Sequence, residues 1–176
     1  MSRRWGLIVS GVAMVALLLA MAPAEGRMKD TGGPGIAAFE LAGSQDRADE
    51  ILAEWGEQGR DAARESLWID FGFVLSFGTF LTLALISMRD LARRRGWRRL
   101  AAIGGVVFLF GALAAACDAA EDVCLLLTLE GAGPALPLLA RTFATAKFTL
   151  LAIAIAYLLA VLAMRLVSRG EPTEAS

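Results

Sequence analysis

Histidine is absent from the sequence altogether. That removes the usual haem ligand, the commonest zinc ligand and the usual general base. Cysteine is scarce: Cys117 and Cys124 lie seven positions apart in one apolar run, roughly 10 Å along a helix rising ~1.5 Å per residue. They are too far apart to bridge each other and read as small buried hydrophobes. Also missing are an internal repeat, a P-loop, a glycine-rich nucleotide fingerprint and any nucleic-acid motif. From this inventory neither a metal centre, a cofactor nor a nucleic-acid partner is expected.

What the chain has instead is apolar side chain. With 176 residues, 57% of them hydrophobic, and a mean hydropathy of +0.59, it is too apolar for an ordinary soluble domain. The net charge of −1 conceals a strong segregation of charge by region. Four apolar runs of near-bilayer length stand out, over residues 5–23, 67–88, 100–129 and 138–166. The expected fold is therefore all-α, a four-helix transmembrane bundle forming one integral membrane domain.

Two readings of the first run stay open. Ala22-Pro23-Ala24 has the small-x-small form of a signal-peptidase site. The run is longer than a usual signal core, and proline between the alanines disfavours cleavage, so retention as a first span is the preferred reading. Residues 36–66 are polar, net acidic and helix-patterned. Ser44 suits an N-cap, and Ala48, Ile51, Leu52 and Trp55 share one face. Gly56 and Gly59 allow a bend before a second helix near Arg60. This segment is expected to form an amphipathic helical extracytoplasmic cap between spans one and two.

The arginines decide orientation. Arg3 and Arg4, the loop "RDLARRRGWRRL", and Arg165 with Arg169 fall on one side of a four-span chain, and the acidic segment and the turn "EGAGPALP" on the other. By the positive-inside rule both termini are cytoplasmic, including the polar tail over 167–176. The expected location is the bacterial inner membrane, and the bilayer is the first partner. Gly72 with Ser76, and the stripe Ala152, Ala156 and Ala160, are small-residue faces on which helices pack closely. A homo-oligomer or another membrane protein is a further candidate partner.

The informative chemistry lies in "LAAACDAAEDVCLLLTL", Leu113 to Leu129. Asp118, Glu121 and Asp122 follow an i, i+3, i+4 spacing and so share a helix face. Counting ~1.5 Å per residue places Asp118 on the order of 15–18 Å from the turn near Gly131, and Lys147 roughly 15 Å from Pro137. Asp70 sits about one turn inside its own span, and Arg141 is nearer the surface. One ionised group at mid-bilayer costs ~2.5–3.5 kcal/mol, so these groups must face inward and pair or line a hydrated cavity. With four acids against one deep amine, at least one acid is expected to hold a proton or to be balanced by a bound cation.

"FELA", "ILAEWG", Asp70-Phe71, "CDAAED" and "AKF", taken in order, resemble a family of uncharacterised bacterial four-span integral membrane proteins. The resemblance covers roughly Phe39 to Leu162. It implies that Glu40, Asp70, Asp118, Glu121 and Lys147 are the polar positions of a shared site. The family pattern has asparagine after the glutamate, where this chain has Asp122, a possible extra charge. The resemblance brings no activity with it.

Three functions remain. The first is a structural or accessory membrane protein, or one that binds a lipid or small ligand. The second is a small oligomeric ion- or proton-coupled transporter using Asp118, Glu121 and Lys147. The third, an intramembrane lipid- or quinone-modifying enzyme, ranks lowest: histidine is lacking and Lys147 would repel a metal.

Overall fold

The computed structural model describes residues 2–170, and all regular structure among them is helical. In chain order the elements are α1 (Arg3–Asp30), α2 (Ile36–Glu40), α3 (Gln45–Arg94), α4 (Arg98–Val107), α5 (Phe110–Leu129) and α6 (Leu136–Gly170). Four helical runs are long and apolar enough to cross a membrane: α1, α3, the α4–α5 run and α6. Residues 167–170, expected in a polar tail, continue α6. The remainder of that tail lies outside the described residues.

The helix α1 runs without interruption through Pro23 and carries Ala24 and Met28 into the core. It packs along α3, α3 along α5, and α5 along α6. Ion pairs pin the ends: Arg3 meets Asp90 at 2.6 Å, and Arg27 meets Glu65 at 2.5 Å at the opposite end of the same pair. Arg64 reaches Glu130 at 2.8 Å and ties α3 to the end of α5.

The acidic stretch folds as its pattern requires. The Ser44 hydroxyl accepts from Arg47 N at 3.3 Å, and Ala48, Ile51, Leu52 and Trp55 are buried. They join Phe39, Ala24, Met28, Leu125 and Ala140 in one apolar cluster, so α2 and the first half of α3 pack against the ends of α1, α5 and α6. The bend falls at Gly56 alone (φ 57, ψ −158), and the helix resumes directly after it rather than near Arg60. Arg60 Nε donates to Leu52 O at 3.0 Å, satisfying a carbonyl in the turn before the bend. Gly59 is helical and lies flush against Trp55. Gly56→Ala forces a side chain into backbone space used almost only by glycine, so it should destabilise the protein by ~1–3 kcal/mol. Thermal unfolding in detergent measures this, and Gly26→Ala, where no atom lies within reach of an added Cβ, is the reference.

Three details of the long helices lie beyond the sequence pattern. The run 100–129 is two helices, broken at Phe108–Leu109 by a tighter turn in which Leu109 N donates to Val106 O at 3.1 Å. Gly104 and Gly105 stand just before it, a sequence that relaxes helices readily, and Phe108 lies under the Arg89 guanidinium, 5.1 Å from its ring centre. Gly72 meets Leu17 side-chain atoms of α1, and Ser76 is buried. Another close crossing joins α3 to α5: a Cβ on Gly78 would lie 2.5 Å from Ala115 Cβ, and one on Gly111 would lie 2.7 Å from Thr82 N. Because backbone blocks the Gly111 site, Gly111→Ala should cost ~1–3 kcal/mol by overpacking, read as a lower midpoint in SDS or thermal unfolding. Finally, Ala152, Ala156 and Ala160 point outward. The buried face of α6 carries Ala154, Tyr157 and Val161 instead.

Candidate functional site

The polar side chains of interest come from four helices of this frame. On α5, the helical spacing puts Asp118, Glu121 and Asp122 on the side facing α3 and α6. They are 6%, 0% and 2% exposed. Lys147 projects from α6, Asp70 from α3 and Glu40 from the end of α2.

Lys147 is the hub. Its Nζ donates to Asp118 Oδ1 at 2.5 Å and lies 2.7 Å from Glu121 Oε2. The Glu121 contact is an ion pair without hydrogen-bond direction, and both Glu121 oxygens are shielded and lack a hydrogen-bond donor. Glu40 Oε2 stands 4.0 Å from the same amine. Burial pushes the Glu40 carboxyl above the ordinary glutamate range, against the pull of Lys147. On the other side of Asp118, single oxygens of Asp70, Asp118 and Asp122 lie within 4.8 Å of one another. The six residues Glu40, Asp70, Asp118, Glu121, Asp122 and Lys147 thus form one chain of charged groups. Arg141 stays outside it, exposed and beside Gly43.

A cavity of about 470 Å³ opens onto this chain. Leu18, Leu19, Met21 and Ala22 of α1, with Phe73 of α3, form its apolar side. Its polar side carries Glu25, Glu40, Asp70, Asp118 and Lys147. Glu121 and Asp122 lie behind that wall.

Glu25 is the residue that sequence reasoning missed. Its Oε2 accepts from Ile36 N at 3.0 Å, holding the start of α2 over the cavity, and its Oε1 pairs with Lys29 at 2.8 Å. In the sequence it is one more acid at the end of an apolar run, with a lysine four residues on. Only the fold of α2 back onto α1 distinguishes it.

Chemically, the arrangement offers one fixed cation, a surplus of carboxylates with unmet acceptor capacity, and an apolar space beside them. Such a site can hold a polar head group beside an apolar body, store protons, or bind a cation. Comparison with protein-family models, with curated proteins and with solved structures finds no match. The class that fold and site define is an all-helical protein with four helices able to cross a membrane and a charged cluster buried among them.

Proposed function

We propose that the chain is a four-span protein of the bacterial inner membrane whose cavity binds a lipid or small amphiphilic ligand, its polar head against the Asp/Glu/Lys cluster. The observation that carries this is the two-sided cavity. One wall is the apolar flank of α1, and the deep end holds Asp70, Asp118 and Lys147. Its volume falls in the ~300–1,000 Å³ range of small-molecule sites.

The membrane assignment rests on the four long apolar helices and on the outward-facing Val12, Val15, Leu75, Ile103, Leu127, Ile155 and Leu159. A soluble monomer rarely exposes so much contiguous apolar surface. The positive-inside rule supports cytoplasmic termini, with α2 and the first half of α3 as an extracytoplasmic cap. Retention of the first span is favoured because α1 supplies a wall of the cavity. The resemblance to the bacterial four-span family agrees with this reading at Glu40, Asp70, Asp118, Glu121 and Lys147.

Native mass spectrometry from mild detergent tests the proposal. The intact protein should carry a lipid-sized adduct, and Ala22→Phe, which fills the cavity from α1, should lose it while remaining folded. A wild-type protein free of adducts, or an adduct indifferent to Ala22→Phe, would falsify the reading. The same spectra report whether residues 1–24 are present.

A second reading, a small ion- or proton-coupled transporter working as an oligomer, is favoured by the surplus of carboxylates over amines in the cluster. In that case Asp118→Asn or Glu121→Gln abolishes pH-driven uptake in liposomes and leaves the fold intact.

A further inference from the structure

We propose that Asp70, Asp118 and Asp122 form a site for a hard divalent cation of the calcium type, which shares Asp118 with the Lys147 ion pair and adjoins the polar side of the cavity. The first observation is geometric. One oxygen from each of the three carboxylates lies within 4.8 Å of the other two, a span that ligands on opposite sides of one Ca²⁺ at ~2.4 Å can reach.

The second observation is independent of that spacing. Asp122 is 2% exposed, and its Oδ2 is shielded from solvent with no hydrogen-bond donor. Lys147 does not supply one: its ion pairs are with Asp118, Glu121 and Glu40. The aspartates on α3 and α5 thus meet at a point where, among the described residues, no positive group pairs with Asp122. Their approach leads through the cavity, which Asp70 and Asp118 both line. That space has room for the waters that complete a coordination shell of ~6–8 oxygens.

Repulsion of a metal by Lys147 is offset at the triad because the amine is already paired with Asp118 and Glu121. Lys147 acts there through Asp118, to which it is already paired.

The test uses the full chain in phosphatidylcholine nanodiscs, where no anionic lipid competes for the ion, stripped with EDTA and titrated with CaCl2 by calorimetry and thermal unfolding. The expected result is one Ca²⁺ per chain, with a Kd on the order of 10⁻⁴–10⁻³ M and a Tm that rises with Ca²⁺. Asp122→Asn and Asp70→Asn should each weaken binding by at least about tenfold, whereas Glu54→Gln, on an exposed face of α3, should leave it unchanged. Should Asp122→Asn fail to fold, Asp70→Asn, at a half-buried position, decides alone. The proposal is overturned if the wild-type protein takes up no Ca²⁺ at millimolar concentration, which assigns the surplus charge to protons. It is equally overturned if the triad variants bind as the wild type does, which assigns the ion to surface acids.

Discussion

Lys147→Met is expected to destabilise the folded protein by ~3–5 kcal/mol, the loss found when one partner of a buried ion pair is removed. The reason lies in what remains behind. Asp118 loses its 2.5 Å donor, and Glu121, which is 0% exposed, loses the only positive group paired with it among the described residues. Glu121 cannot turn to water. SDS or thermal unfolding in detergent should show the drop, and a second change, Asp118→Asn or Glu121→Gln in the Lys147→Met background, should recover part of it. Acidification should act in the same direction, because a neutral carboxyl needs no counter-charge. A Lys147→Met protein as stable as the wild type would mean that the cluster's acids are already neutral in the fold, and the ion-pair account would be lost.

Trp55→Ala is the second large effect, again ~3–5 kcal/mol, at an apolar site. Trp55 is 1% exposed, packs on Phe39 with ring centres 5.2 Å apart, and donates through Nε1 to Pro34 O at 2.6 Å. Truncation opens a cavity under α2 and strands a carbonyl. Trp55→Phe separates the two contributions, since it keeps most of the packing and costs only the unmet acceptor, about 1–3 kcal/mol. Since Phe39 precedes Glu40, loosening α2 should also draw Glu40 away from Lys147. Limited proteolysis between residues 31 and 44 should accelerate in Trp55→Ala and hardly at all in Trp55→Phe. Equal proteolysis in both variants would mean that α2 is held by something other than this ring.

These two sites differ in how far the sequence exposed them. Ser44 and the 48, 51, 52, 55 face are legible because a helix with one wet side shows its buried side as a period. The shared face of Asp118, Glu121 and Asp122 is legible for the same local reason, since i, i+3 and i+4 positions adjoin on any helix. The packed faces of the long apolar helices are not. Ala152, Ala156 and Ala160 have the spacing of a packing stripe and point outward, while Gly78 and Gly111 sit where α3 and α5 cross closely. When a helix is apolar on every side, composition no longer distinguishes the face that meets a neighbour.

Sequence by itself determined the four apolar runs, the segregation of charge and the acids that share one turn of α5, because each is a property of neighbours along the chain. Tertiary structure decided that Lys147 meets Asp118 and Glu121, that Glu25 and Glu40 close over the same cavity, and that α5 abuts α3 at Gly111. Those are meetings between residues dozens of positions apart. They depend on which helices pack together and at what angle, which steric fit between whole surfaces settles and local pattern does not encode.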